Sequence, residues 1–235
     1  MNRRFDAVVF DLYGTLVNEF RRDVFVANVR EMAVDLGADP EAFEHVWTAT
    51  AMERQTGRHA TVADNLRAIC SALGVAVVDE ALVRAMKRRD AMYARYFRSR
   101  PGAEETLRAV KERGYPIALI SMCAPDTPAL WRAGPLARSI DVEVFSCEVG
   151  LRKPDPAIYL RATELLGIEP DRCLYVGDGA YGEMSGAAAV GMTPVLIRDP
   201  DEEPSSALRP EAEEWNGPTI GHLSEVLAIL SESAG

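Results

Sequence analysis

The chain has 235 residues, with 36 Asp and Glu against 26 Lys and Arg, a formal net charge of -10. That balance disfavours a general nucleic-acid binder, which must neutralise phosphates. Hydrophobic residues at 48% and charged residues at 26% suit a folded globular chain rather than a disordered one. No apolar run approaches the ~18 residues of a membrane span. Asp6 and Asp11 interrupt the apolar stretch behind Arg3 and Arg4, which argues against a signal peptide. The 4 Cys (Cys70, Cys123, Cys147, Cys173) lie far apart without metal spacing and read as reduced thiols of a cytoplasmic protein.

In chain order, the first β-rich run is Ala7–Phe10. The stretch from Phe20 to Arg100 then carries helical periodicity and almost no strand signal. Gly37–Pro40, Gly57 and Gly74 punctuate it into about four helices. Further short apolar runs follow at Ile117–Ile120, Val142–Phe145, Leu174–Val176 and Pro194–Ile197, the signature of parallel strands covered on both faces. Between them lie helical patterns at Glu104–Arg113, Ala157–Leu166 and Glu183–Val190, each followed by a Gly that can close it (Gly114, Gly167, Gly191). Asp199 to Pro218 is acidic and Pro-rich and reads as a loop; Leu223, Val226, Leu227 and Leu230 then form one apolar helical stripe. The expected fold is α/β, a doubly wound parallel sheet (residues 1–17 and 101–235) carrying a helical cap domain (18–100).

Chemistry-bearing residues fall at the carboxyl ends of these strands. Asp11-x-Tyr13-Gly14-Thr15-Leu16 follows the first, Ser121 ends the second, and Gly177-Asp178-Gly179 follows a later one. Lys153-Pro154-Asp155-Pro156 precedes a helix. In an open parallel sheet these ends meet in the crevice where ligands bind.

These motifs, with Val149-Gly150 ahead of Lys153, Tyr159 behind it, and Glu183 with Gly186-Ala187 after Asp178, resemble the haloacid dehalogenase superfamily of hydrolases. The branch resembled is the one with a helical cap inserted after the first strand. The resemblance covers essentially the whole chain. It implies Asp11 as the nucleophile that forms a covalent ester, and Lys153 as the cation that orients it. It implies Ser121 as a hydroxyl donor to the transferring group, although Met122 and Cys123 follow where Asn and a small polar residue are usual. Mg²⁺ would be held by Asp11, Asp178 and the main-chain carbonyl of Tyr13, with Glu183 touching it through water. Without the resemblance, Asp11 starts a turn, Asp178 caps a helix, and Glu183 is an exposed acid in a first helical turn.

Two departures pull in opposite directions. Phosphatases of the family carry a second Asp as general acid and base where this chain has Tyr13, and a phenol is a poor substitute near neutrality. Dehalogenases of the family do place Tyr there, since a halide leaves without a proton. Those dehalogenases, however, work without metal and carry Ser and Asn where this chain has Asp178 and Ala180. Two facing carboxylates need a cation, so the expected function is a Mg²⁺-dependent hydrolase of a small phosphate ester, with Tyr13 a catalytic-site residue. The alternatives are a metal-independent 2-haloacid dehalogenase using Asp11, or a weakly catalytic binding module.

Arg84, Lys87, Arg88, Arg89, Arg95, Arg98 and Arg100 form a basic run, read as a solvated helix face or as a surface attracting a small anionic metabolite. Arg54, Arg58 and His59 are further specificity candidates, while Phe43, Trp47 and Tyr96 read as cap core. No nucleic acid or membrane partner is expected, and the oligomeric state is left open.

Overall fold

The computed structural model describes residues 3–198 and 209–231. β1 (Ala7–Phe10) is followed by five helices: α1 (Arg22–Leu36), α2 (Pro40–Ala49), α3 (Ala51–Gln55), α4 (Val62–Ala72) and α5 (Asp79–Tyr96). Helix and strand then alternate. α6 (Ala103–Glu112) leads into β2 (Ile117–Ser121), then α7 (Thr127–Arg132), β3 (Val142–Phe145) and the single turn α8 (Ser146–Val149). α9 (Pro156–Leu166) precedes β4 (Cys173–Gly177), α10 (Glu183–Ala189) precedes β5 (Thr193–Ile197), and α11 (Pro210–Glu214), β6 (Thr219–Ile220) and α12 (Val226–Ile229) complete the order.

The six strands form one sheet in the order β3-β2-β1-β4-β5-β6, and every pairing is parallel. The doubly wound α/β expectation holds. β1 shows why the strands read as unbroken apolar runs. Val8 and Phe10 enter the apolar cluster on one face, Ala7 and Val9 the cluster on the other, and all four are fully buried. A strand covered on both sides has no solvent face to mark with polar residues. The connections from β1 lead to β2 on one flank and finally to β4 on the other, so the order reverses beside β1 and opens a crevice past Phe10 and Gly177.

The helical segment has its own apolar cluster, built from Val29, Met32, Leu36, Phe43, Trp47, Leu66 and Leu82, with Tyr96 only partly buried in a smaller adjoining one. It holds five helices instead of the expected four. The extra one, α3, is five residues long and separated from α2 only by Thr50. Gly37 caps α1 with φ 75°, and Asp39 caps α2 by accepting from the Ala42 N–H at 2.9 Å. The chain leaves and returns at one place: Val17 and Ser99 pair as an antiparallel bridge, and the Asn18 N–H donates to Arg98 O at 2.8 Å.

The expected loop at Asp199–Pro218 lies outside the described residues over 199–208, and its described part contains α11. The two-residue β6 was not expected at all; its pairing with Leu196 and Ile197 makes it a strand. The C-terminal stripe does pack as one face, with Leu223, Val226 and Leu230 in the core cluster and Leu227 against it. None of the four Cys is in a disulfide, but Cys123 and Cys147 sulfurs lie 3.6 Å apart. Among the described residues no helix is long and apolar enough to cross a membrane.

Candidate active site

Beyond β1 the Asp11 N–H still donates to Val176 O at 2.9 Å, which carries the carboxylate to the mouth of the crevice. The chain then turns sharply, with the N–H groups of Leu16 and Val17 both donating to Leu12 O at 2.9 Å. Gly14 makes the turn at φ 76°, and a Cβ there would strike the Asp178 carboxylate and the Arg209 guanidinium. Only glycine lets β1 and the residue after β4 bring their acids this close.

Asp178 is almost fully buried, and its Oδ1 accepts from the Ala180 N–H at 2.9 Å. Its Oδ2 makes no aligned hydrogen bond but stands 2.8 Å from Arg209 Nη2 in an ion pair. Glu183, at the start of α10, is fully buried. Its Oε2 accepts from Lys153 Nζ at 2.6 Å and from the Tyr175 hydroxyl at 2.7 Å, and its Oε1 from the Gly179 N–H at 2.9 Å. The reading of Glu183 as an exposed first-turn acid is therefore corrected. The turn that starts α10 directs it back under the strand ends, where Lys153 compensates its charge.

Lys153 reaches the site because Asp155 accepts from the Ala157 N–H at 2.9 Å, capping α9 with Pro156 at its first position. Its Nζ donates to Asp11 Oδ1 as well as to Glu183. Burial would discharge this lysine, but the charges of Asp11 and Glu183 outweigh it and hold the ammonium more firmly than usual. Asp11 is pushed up to about 7 by burial and by the charge of Glu183, against the pull of Lys153. Asp178 is raised well above the carboxylate range by burial, Glu183 and Asp11, with Arg209 opposing.

Asp11, Asp178 and Glu183 each offer an oxygen, and these atoms all lie within 4.8 Å of one another. Asp11 Oδ2 accepts no hydrogen bond. Three buried carboxylates with one unheld oxygen on Asp11 fit a hard divalent cation such as Mg²⁺.

Tyr13 and Ser121 sit differently from this cluster. The Tyr13 hydroxyl shares a hydrogen bond with Thr127 Oγ1 at 2.9 Å, and its ring lies among Phe20 and Phe97, with centroids 5.5 and 5.9 Å away. Burial and the neighbouring Tyr93 hold the phenol well above its ordinary pKa. It walls the cavity and is tied to Thr127 rather than to the carboxylates. Ser121 is fully buried at the end of β2, and the cavity wall beside it comes from Met122, Cys123 and Ala124.

Above Asp11 lies a cavity of about 470 Å³ between the sheet ends and the helical segment. Tyr13, Phe20, Phe25 and Tyr93 give it an aromatic wall, and Arg54 and Arg89 bring buried guanidinium groups. Arg58 and His59 are not on its wall. The basic run on α5 and just after it divides. Arg88 pairs with Glu31 and Asp35 on the outside, and Arg84, Arg95 and Arg98 are exposed, as a solvated face requires. Arg89 is fully buried with its Nε on Asp126, and buried Arg100 donates to Gly14 O, so neither belongs to that face. Sequence reasoning missed Arg209 altogether. It missed the burial of Arg89 too, although Arg89 falls in helical register with Leu82, Ala85, Met92 and Tyr93.

The chain is 29% identical to (S)-2-haloacid dehalogenase 4A of Burkholderia cepacia, over 97% of this chain and 95% of that one. It is 28% identical to ribulose-1,5-bisphosphate 5-phosphatase of Halopiger xanaduensis, over 96% and 99%. Among solved structures, one described as a dehalogenase superposes with a TM-score of 0.63 at 26% identity, covering 97% of this chain and 98% of that one. The family model for haloacid dehalogenase-like hydrolases matches residues 5–191, and with the motif residues gathered at the strand ends the chain belongs to that family of enzymes.

Proposed function

We propose that the chain is a Mg²⁺-assisted hydrolase of small phosphate esters, acting through a covalent phosphate on Asp11 beneath a cap formed by α1–α5. The observation that carries this reading is the surplus of buried carboxylate. Asp11, Asp178 and Glu183 converge within 4.8 Å, while Lys153 and Arg209 supply two compensating charges. A further cation restores ionisation of the nucleophile, whose pKa burial has raised to about 7. Asp11, Asp178 and the Tyr13 main-chain carbonyl would hold Mg²⁺, with Glu183 behind; when bound, it offsets repulsion between the nucleophile and an incoming phosphate.

The protein's own residues do the rest. Lys153 holds Asp11 Oδ1 and so orients the carboxylate that attacks phosphorus. The bond from phosphorus to the leaving oxygen breaks, and the departing alcohol takes its proton from solvent, because Tyr13 is neither acidic enough nor aimed at it. Water then attacks phosphorus, the bond to Asp11 breaks, and phosphate leaves with the carboxylate restored.

A second reading is favoured by Tyr13 and by the Arg209–Asp178 ion pair, which already compensates Asp178 without metal. In it Asp11 displaces halide from a small 2-halo acid, and water hydrolyses the resulting ester. One assay separates the readings: phosphate release from a panel of esters and halide release from 2-chloropropionate, each with Mg²⁺ and with EDTA. Phosphate release that EDTA abolishes supports the first. Halide release that ignores EDTA replaces it with the second, and release of neither leaves a binding module.

A further inference from the structure

We infer that Arg54 receives a carboxylate on the substrate, so that the ester cleaved is a small phosphorylated acid rather than a phosphorylated alcohol. This deepens the phosphate-ester reading and rests on it.

Arg54 lies in the last turn of α3 on the side of the cavity formed by the helical segment, opposite the strand ends that carry Asp11. It is 5% exposed, and its guanidinium lies over the Trp47 ring at 3.9 Å from the centroid. Its Nη1 donates to Trp47 O at 3.2 Å and to Asn65 Oδ1 at 3.5 Å, both neutral acceptors. Among the described residues no carboxylate pairs with it. Every other buried or half-buried charge on this cavity is answered within the protein. Asp11 is paired with Lys153, Arg89 with Asp126, Glu44 with Arg30, and Glu19 lies 3.8 Å from Arg209.

A buried cation with only neutral partners is costly, and an anion that reaches it removes that cost. Burial and the adjacent Arg89 pull the Arg54 pKa down to about 10, which still leaves it charged at neutrality. The Trp47 stack and the two carbonyl acceptors fix the plane of the fork, so little freedom is lost when it binds a planar carboxylate. A second phosphate is a poorer match, because a dianion would meet one guanidinium without a carboxylate partner, Arg89 being held by Asp126, and Glu19 and Glu44 also line the cavity. The cavity, near the small end of the usual ~300–1,000 Å³, accommodates a phosphoryl group and a few carbons.

Binding to the inactive Asp11→Asn protein, measured by calorimetry, tests this without turnover. The probes are 3-phosphoglycerate, glycerol 3-phosphate (of similar size, with the carboxylate replaced by a neutral alcohol) and 2-chloropropionate. The acid ester is expected to bind about 10- to 100-fold tighter than the alcohol ester, the range of a charge-assisted hydrogen bond. Adding Arg54→Gln should erase that preference, weakening 3-phosphoglycerate far more than glycerol 3-phosphate, whose continued binding also reports an intact fold. Arg54→Lys, which keeps charge without the fork, should fall between. Equal binding of the two esters, or a preference that survives Arg54→Gln, overturns the inference. If neither ester binds and 2-chloropropionate does, the phosphate reading fails. Loss of 2-chloropropionate binding in Arg54→Gln then still assigns the carboxylate to Arg54, and retained binding overturns that as well.

Discussion

Arg209 Nη2 stands 2.8 Å from Asp178 Oδ2, at the same acid that would hold the metal. A guanidinium and a divalent cation compete for that oxygen. Arg209→Gln should therefore tighten Mg²⁺ binding, by about tenfold for one screened like charge removed. Calorimetric titration of Mg²⁺ into both proteins measures it, and equal or weaker affinity in the variant would show that Arg209 assists the metal instead.

The raised pKa of Asp11 fixes a pH dependence. A carboxylate with a folded pKa near 7 and an unfolded value near 3.8 favours the fold while protonated and opposes it once ionised. Metal-free protein should thus lose stability as pH rises from about 4 through 7. Asp11→Asn lacks this penalty and should be the more stable protein above pH 7, by on the order of 2 kcal/mol, while having no turnover. Urea melts in EDTA across that range test the sign. A wild type that gains stability on the same path would mean Asp11 is ionised at no cost.

In the proposed phosphatase reaction, Tyr13 would set which leaving groups are tolerated. With its hydroxyl on Thr127, no proton is supplied to a departing alkoxide, and acid catalysis usually contributes ~10²–10⁴-fold. Aryl phosphates and acyl phosphates should be turned over faster than alkyl phosphates. Tyr13→Phe should leave kcat within about threefold and lose about 1 kcal/mol of stability with the Thr127 bond. Tyr13→Asp should raise alkyl turnover selectively. Equal wild-type rates on alkyl and aryl esters, with chemistry limiting, would reveal another acid.

Asp126 anchors the helical segment to the core by compensating Arg89, which is 1% exposed. Asp126→Asn leaves that guanidinium buried without its anion and should cost about 3–5 kcal/mol. Replacing the pair together, Arg89→Met with Asp126→Asn, should recover much of the loss. A double variant no more stable than the single one would place the cost elsewhere.

The sequence revealed most of what the sheet requires. Strands β1 to β5 announced themselves because burial on both faces keeps them mostly apolar, Ser121, Glu143 and Thr193 being the exceptions, and the Gly residues after α6, α9 and α10 marked the ends of those helices. Elements too short to show a period, α3 and β6, left no such mark. Asp11, Lys153 and Asp178 were legible because each lies just past a strand end or just before a helix cap in a recognisable string. Arg209 has no string around it and meets Asp178 from its place just before α11, far from it in sequence. Glu183 was legible in position but not in environment, since a first-turn acid ordinarily faces water. Here its partners, Tyr175 and Lys153, come from other elements.

The pairing of Val17 with Ser99 places the two ends of the helical segment side by side. A segment joined at one point of the sheet can be lengthened, shortened or exchanged without moving a strand, because no strand lies between its ends in the fold. Asp11 and Lys153 belong to the sheet and its loops; Arg54 belongs to the exchangeable part. On the proposed reading, selection can thus rewrite which molecule is admitted while leaving Asp11 and Lys153 untouched. A laboratory graft that cuts between Val17 and Asn18 and between Arg98 and Ser99 would exploit the same division.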